Sequence, residues 1–272
     1  MATRPLKLSR WQLDLFVSCP RCFWALKRHN ISQPKGYPLA LNTAIDVLLK
    51  DEFDGYRRQG KPHPLLASAK SEAKLFGDAA KVQEWRNPYQ GLRWTERESG
   101  HTLFGAVDDI LEFPDGSLAV LDYKSSGARE ITIYDSYQLQ MDVYTFLLQQ
   151  LGYRTAPKAF FAFFVAVKTD GFNGRLPFRG TLVEVAPNPA RVLPLFHQAI
   201  ALAQSDQMPS CGAQCDVCRW TDEVAPIVTG SAAPKAAPPA APAAGSAPLD
   251  ALSIERVLTG SPSVPLTPPA SS

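Results

Sequence analysis

Hydrophobic side chains recur every three to four residues in several stretches of the chain, which is the spacing of an α-helix. The pattern predicts helices over 9–17, 22–28, 42–59, 135–151 and 189–204. Ser9 suits the N-cap of the first helix, Pro20 the start of the second and Gly152 the end of the fourth. The helix over 42–59 is amphipathic, with an apolar face formed by Ile45, Leu48, Leu49 and Phe53.

β-branched and aromatic residues cluster in shorter runs that are typical of strands. These runs predict strands over 92–98, 102–113, 117–124, 158–168 and 180–186. Pro114-Asp115-Gly116 is a turn sequence, so the second and third strands form a hairpin. The order of three strands, a helix and a further strand predicts an α/β core with a mixed central sheet flanked by helices on both faces.

Composition bounds the class of protein. The chain has 272 residues, of which 45% are hydrophobic, enough for a sizeable core. No apolar run reaches the roughly 18 residues that a membrane span needs, so we expect no membrane partner. The first residues lack the apolar core of a signal peptide, which makes a cytoplasmic protein the default expectation.

The C-terminal part has a different composition. The last 50 residues hold ten of the 24 prolines and many Ala and Ser. Such a segment buries too little surface to offset its ordering entropy, so we expect one folded domain over 1–222 and a disordered tail over 223–272. Residues 249–258 (LDALSIERVL) are either a short helix that forms on a partner or an apolar island in a linker.

Net charge is only +2, so a nucleic-acid surface would have to be a local basic patch. Two such clusters are present: Lys27, Arg28 and Lys35, and Arg57, Arg58 and Lys61. Charge alone does not separate a binding patch from an ordinary solvated face.

The predicted hairpin brings acidic and basic side chains together. Alternation along a strand points Asp122 and Lys124 to one face and Tyr123 to the other, and the hairpin brings Asp108 within reach. Two carboxylates and an ammonium suit a divalent metal, a phosphodiester and an attacking water. Asp109 follows Asp108 directly, so its side chain should face the side opposite to that of Asp108. The alternative is a surface hairpin whose Asp122–Lys124 ion pair contributes about 0–1 kcal/mol.

Four of the five cysteines form C-x-x-C pairs, one near each end of the folded part. Thiolates in this spacing bind Zn²⁺ or a four-iron, four-sulfur cluster. The pattern therefore indicates metal binding in a reducing compartment rather than disulfide bonds. The members are Cys19, Cys22, Cys215 and Cys218, with Cys211 nearby as a spare or alternative ligand. The competing interpretation is separate buried cysteines that act as small hydrophobes.

The order of these motifs resembles that of PD-(D/E)XK nucleases of the RecB-like group. The elements that carry the resemblance are G-x-x-D at 105–108, D-x-K at 122–124 and Gln140-Met-Asp-Val-Tyr144, between an opening segment at 9–24 and a closing segment at 215–220. It extends from about residue 8 to 220. It implies a restriction-endonuclease-like core and a metal-dependent nuclease activity.

The resemblance also implies roles for individual residues. Asp108, Asp122 and the carbonyl of Tyr123 would hold Mg²⁺ or Mn²⁺. Lys124 would act on the attacking water or on developing charge, while Gln140 and Tyr144 would line the active site. Asp46 stands where many relatives carry a metal-binding His; it is either a ligand or the partner of Lys50 at i+4. Glu96 and Glu98 are weaker candidates.

The resemblance further implies a metal centre that joins the two ends of the domain, although relatives use one N-terminal and three C-terminal cysteines rather than two and two. The expected function is a DNA nuclease, exonuclease ahead of endonuclease, in DNA repair, recombination or phage and mobile-element DNA processing. Its substrate would be DNA that is single-stranded or has free ends. One alternative is an inactive DNA-binding or scaffold module that works with a helicase or recombinase. Another is a phage or mobile-element recombination subunit that cuts only with a helicase or annealing partner, in which case the tail would bind that partner.

Overall fold

A computed structural model describes residues 4–34, 36, 39–128, 130–168, 171 and 173–231. The chain divides into two units, of which the first ends at Asp222 and the second begins at Glu223. The helices are α1 (Arg10–Ser18), α2 (Pro20–His29), α3 (Ala40–Gln59), α4 (Pro64–Ser68), α5 (Ala79–Arg86), α6 (Asp135–Gln150), α7 (Val192–Gln204) and α8 (Asp216–Val228). A single 3-10 turn, Pro189–Arg191, leads into α7.

The strands are β1 (Lys7–Ser9), β2 (Lys74–Leu75), β3 (Leu92–Thr95), β4 (Thr102–Gly105), β5 (Asp109–Glu112), β6 (Leu118–Ser126), β7 (Ala159–Ala166) and β8 (Phe178–Val185). They form a five-stranded sheet in the order β2-β5-β6-β7-β8 and a three-stranded sheet in the order β1-β4-β3. Strands β6 and β7 are parallel and are joined through α6, while the other pairs of the larger sheet are antiparallel. The mixed α/β class is therefore confirmed.

Helices cover both faces of the larger sheet, as the sequence predicts. On one face, α6 and α7 pack on Val120 and Phe161. On the other, α3 and α4 pack on Leu121 and Phe160. Alternation along β6 and β7 supplies apolar side chains to both layers, which explains why these strands are continuous hydrophobic runs.

The single strand predicted over 102–113 is wrong. It is two strands that belong to different sheets, because β4 pairs with β1 and β3 whereas β5 pairs with β2 and β6. The connection at residues 106–108 lies between the sheets. Strand-forming residues fill the whole stretch, so propensity alone gives no signal for the break.

Two predictions about α3 also need correction. Leu48 is 66% exposed, whereas Leu49 and Phe53 are buried, so the apolar face of this helix is narrower than its pattern suggests. Arg57 does not belong to a solvated basic patch. Its side chain is only 3% exposed and is ion-paired with the fully buried Asp109. Lys35 lies outside the described residues.

The predicted boundary between residues 222 and 223 coincides with the division into two units, but the first residues of the predicted tail are helical and not disordered. Helix α8 continues to Val228, and the backbone N–H of Thr229 donates to Ala225 O at 3.0 Å. The rest of the predicted tail, including the short helix considered at 249–258, lies outside the described residues. No helix in the described part of the chain is long and apolar enough to cross a membrane.

Candidate functional site

The connection between β4 and β5 presents Asp108 to the C-terminal half of β6. Its Oδ2 accepts a hydrogen bond from the backbone N–H of Tyr123 at 3.1 Å. Its own carbonyl oxygen accepts one from Arg86 Nε at 2.5 Å. The break in the predicted strand therefore has a structural consequence, because it turns the Asp108 carboxylate toward β6.

Asp122 is the buried carboxylate of the site, with 1% of its surface exposed. Its Oδ1 accepts a hydrogen bond from Gln140 Nε2 at 2.5 Å. Its Oδ2 lies 2.5 Å from Lys124 Nζ but forms no hydrogen bond of acceptable geometry with the described residues. Burial, followed by the charge of Asp108, raises the pKa of Asp122 to about 7.

Lys124 and Gln140 complete this group. Lys124 Nζ donates to Gln140 Oε1 at 3.1 Å and lies 4.7 Å from the centre of the Tyr137 ring. The Gln140 side chain thus contacts both Asp122 and Lys124. The structure therefore brings together four side chains, which form the acidic group: Asp108, Asp122, Lys124 and Gln140.

Tyr144 lies one turn further along α6 and is only 3% exposed. Burial raises its pKa to about 12, so the phenol stays protonated at neutral pH. A Cβ added to Gly105 would meet Tyr144 Cε1 at 2.6 Å. The glycine of the G-x-x-D motif therefore leaves room for this ring, which packs beneath the site.

Asp46 is connected to the site through Lys50, the residue that the i+4 spacing had given as its possible ion-pair partner. Lys50 Nζ lies 2.7 Å from Asp46 Oδ2 and also 3.0 Å from Asp108 Oδ1. Burial alone would lower the pKa of Lys50, but the charges of Asp108 and Asp46 raise it overall. Sequence reasoning missed the contact between Lys50 and Asp108; the i+4 spacing on α3 gave the only signal.

The remaining acidic residues lie elsewhere. Asp109 faces away, as predicted, and is fully buried between Arg57, Arg86 and the Tyr123 hydroxyl, whose oxygen is 2.5 Å from Asp109 Oδ2. Glu96 bonds to Ser99 and lies 2.6 Å from His197 Nε2, while Glu98 is exposed. Among the described residues, neither glutamate contacts the acidic group.

The acidic group fits a divalent cation. Asp108 and Asp122 offer carboxylate oxygens, the ligands that Mg²⁺ and Mn²⁺ prefer. The Oδ2 atom of Asp122 is buried beside the Lys124 ammonium at 2.5 Å, and this contact does not have hydrogen-bond geometry, so the oxygen keeps a lone pair for a cation.

Four cysteines come together at the other candidate centre. The Sγ atoms of Cys19, Cys22, Cys215 and Cys218 all lie within 4.8 Å of one another. Three of the Sγ–Sγ distances are 3.5–3.6 Å. Sulfur atoms around a tetrahedral Zn²⁺ would be about 3.8 Å apart, given Zn–S bonds of about 2.3 Å. The spacing therefore fits a metal centre built from two cysteines at each end.

The backbone around the cluster is closely fitted. The N–H of Gly212 donates to Cys19 Sγ at 3.3 Å. Burial would raise the pKa of Cys19, but this bond and others within the cluster lower it to about 7. Cys211 is turned aside, with its Sγ 3.4 Å from Gly212 O, and is not one of the four clustered thiols.

Comparison with known proteins gives one informative match. The sequence model of one protein family, the PD-(D/E)XK nuclease superfamily, matches residues 24–222. This range contains every residue of the acidic group. No curated protein matches the chain. A solved structure described as "Crystal structure of SSO0001" is 13% identical, with a TM-score of 0.33, over 77% of this chain and 82% of that one. A similarity this low adds nothing to the family match.

Proposed function

Because the chain belongs to the PD-(D/E)XK nuclease superfamily, we propose that it is a divalent-metal-dependent DNA nuclease of the RecB-like group. The observation that carries the proposal is the placement of Asp108, Lys124 and Gln140 around the fully buried carboxylate of Asp122. An isolated surface ion pair would not bury Asp122 so completely or surround it with a second acid and an amide.

In this proposal, Asp108, Asp122 and the carbonyl of Tyr123 hold Mg²⁺ or Mn²⁺, and Asp46 contributes from α3. A cation bound there would neutralise phosphate charge and lower the pKa of the attacking water. The N–H of Tyr123 fixes Asp108 Oδ2, which leaves Oδ1 directed toward α3 and Lys50.

Lys124 is the group that acts on the water or on the charge that develops on the phosphate. Gln140 positions it, because the same amide accepts from Lys124 and donates to Asp122. The hydrogen bonds thereby hold the ammonium and the carboxylate on one side of the site. The buried ring of Tyr144 packs against Gly105, next to this group of side chains.

The proposed reaction is hydrolysis of phosphodiester bonds in DNA, by exonuclease action on free ends or single strands. Its context would be DNA repair, recombination or the processing of phage and mobile-element DNA, in the cytoplasm. The basis for these finer assignments is the resemblance to RecB-like nucleases and the reducing environment that free thiolates need.

The four cysteines would hold either a four-iron, four-sulfur cluster or Zn²⁺. The family resemblance favours the cluster, whereas the short Sγ–Sγ distances favour a single ion. In both cases the centre ties the start of α2 to the start of α8. Metal analysis and visible absorption of anaerobically purified protein distinguish the two.

The test is incubation of the purified protein with linear and circular DNA in Mg²⁺, Mn²⁺ or EDTA. We expect cutting of linear DNA with either metal and none in EDTA; cutting of closed circles would exclude a pure exonuclease. Asp122→Asn should abolish cutting. Asp206→Asn, which changes an exposed carboxylate paired with Arg28, is the matched control and should cut like the wild type. Equal rates for the wild type and Asp122→Asn would refute the catalytic assignment.

A second candidate is a nuclease-fold module that binds DNA for a helicase or recombinase without cutting it. The observation in its favour is Asp46, which replaces the expected His and is already neutralised by Lys50. DNA binding without cleavage in any metal would select this function. The residues from 232 onward would then be the segment that binds the protein partner, and their removal should abolish its capture.

A further inference from the structure

An exposed aromatic side chain lies beside the Lys124 end of the site. Tyr134, the residue before α6, is 57% exposed. Its ring and the Tyr137 ring form a T-shaped pair, with ring centres 5.2 Å apart and planes at 85°. Tyr137 in turn lies under Lys124 Nζ. The two tyrosines therefore continue outward from the catalytic lysine, and the outer one is more than half exposed.

These tyrosines border a cavity of about 130 Å³. Its walls include Lys124, Ser125, Ser126, Tyr134, Tyr137 and Phe163. A second cavity of about 290 Å³ shares Ala128 and Ile131 with the first and contains Lys168 and Arg179. Lys168 is held at this place by a hydrogen bond from its Nζ to Gly127 O at 2.5 Å.

The order of side chains along this path is informative. Beginning at Lys124, the path passes hydroxyl groups, aromatic rings and one acid, Glu130, and then reaches two cations. An aromatic face binds a base, whereas hydroxyls and cations bind the sugar–phosphate backbone. A small metabolite would not need cations in a second cavity beyond the ring, but a polymer with one phosphate per nucleotide does.

We propose that Tyr134 is a stacking platform for an unpaired base of single-stranded DNA, next to the bond that is cut. Lys168 and Arg179 bind the phosphates further along the same strand. The inference rests on the proposed nuclease function and specifies its substrate. In a duplex each base is stacked and paired, so its face is closed to a protein ring; only an unpaired base can lie on Tyr134.

The test measures binding of the full-length protein in EDTA to two labelled substrates. One is a single strand, and the other is a hairpin whose duplex stem contains the same sequence. Tyr134→Ala should weaken single-strand binding about tenfold, since one aromatic–base stack has this order of magnitude, and should leave duplex binding unchanged. Tyr134→Phe keeps the ring and should bind like the wild type. Tyr89→Ala is the matched control, because Tyr89 is 84% exposed and does not line either cavity.

A second measurement reports stacking directly. In single strands that carry 2-aminopurine at successive positions, the wild type should quench the fluorescence of one position most strongly. Tyr134→Ala should remove that quenching and Tyr134→Phe should keep it. Arg179→Ala should leave the quenching in place but reduce the salt dependence of binding.

Three outcomes would overturn the inference: unchanged single-strand affinity in Tyr134→Ala, equal losses for single strand and duplex, or a Tyr134→Phe variant as weak as Tyr134→Ala. If the wild type cuts DNA while any of these holds, the proposed function stands and only the stacking platform is wrong. If the wild type neither binds nor cuts DNA, the proposed function fails first.

Discussion

Lys50 Nζ lies 3.0 Å from Asp108 Oδ1, so an ammonium from α3 pairs with a carboxylate from the connection between the two sheets. The same ammonium is 2.7 Å from Asp46 Oδ2. A divalent cation that uses Asp108 as a ligand must compete with this lysine. At the proposed metal site, Lys50 would therefore limit metal affinity, even though it holds the two acids in place.

The first prediction concerns metal affinity. Lys50→Met should bind Mn²⁺ about tenfold more tightly than the wild type, because the competing positive charge is removed at contact distance. Calorimetric titration without DNA measures this independently of cleavage. Lys158→Met, which breaks the exposed pair with Glu184, is the control and should change nothing. Unchanged or weaker affinity in Lys50→Met would show that the lysine does not compete.

Asp46→Asn should act in the opposite direction and raise the Mg²⁺ concentration that cleavage requires. The substitution removes a carboxylate near the proposed ion, and it leaves Lys50 with Asp108 as its remaining charged partner. Replacement of both Asp46 and Lys50, by Asn and Met, should recover part of the lost affinity. A double variant weaker than Asp46→Asn alone would contradict this explanation.

The next prediction concerns cooperation within the acidic group. Asp108→Asn and Asp122→Asn should each reduce single-turnover cleavage about a thousandfold or more, and the double variant should be hardly worse, since residues that act as a unit are strongly non-additive. Lys124→Arg should not restore activity, because a guanidinium cannot give up its proton at usable pH. Multiplicative losses in the double variant would indicate independent roles.

Much of the site could be predicted because its geometry is local. Alternation places Asp122 and Lys124 on one face of β6, whereas the contact of Gln140 with both was expected only from the family resemblance. The approach of Lys50 to Asp108 could not be predicted, since it depends on how α3 packs against the larger sheet. The interruption at residues 106–108 escaped prediction for a similar reason: it reflects pairing with two different sheets.

Arg57 shows that the partners of charged residues are also not predictable from local sequence. Its neighbours Arg58 and Lys61 made a basic surface patch plausible, but tertiary packing turns Arg57 inward to neutralise the buried Asp109. A buried acid has to be paired, and no local pattern shows which distant cation will pair with it. Local spacing therefore predicts which residues share an element, whereas the pairing of buried charges requires the fold.

A prediction about pH follows from His63, which is 4% exposed and stacked on Phe53. Its Nδ1 accepts from the Leu65 N–H at 3.1 Å, so this nitrogen is unprotonated in the fold. Burial lowers the pKa of His63, and Glu52 only partly opposes this. Because the pKa in the folded state is below that in the unfolded state, the stabilisation is present above pH about 6.5 and is lost as the pH falls below it.

Denaturant unfolding at pH 7.5 and 5.5 checks this prediction. His63→Asn keeps an oxygen that can cap α4 but cannot be protonated. It should therefore lose less stability on acidification than the wild type. His29→Asn, at an exposed position, should keep the wild-type dependence on pH. Identical losses in His63→Asn and the wild type would show that His63 does not titrate with unfolding.

The last prediction concerns Gly212, whose backbone lies against the end of α1. A Cβ at this position would be 2.0 Å from Ser18 O and 3.1 Å from Cys19 Cα. These contacts are with backbone atoms, which cannot move aside as a flexible side chain could. Gly212→Ala should therefore separate the two C-x-x-C pairs although all four cysteines remain, and metal content and melting temperature should both fall. Gly77→Ala adds the same methyl group where nothing lies within 4 Å, and both quantities should keep their wild-type values. Full metal content in Gly212→Ala would mean that the cysteine segment does not need this close backbone approach.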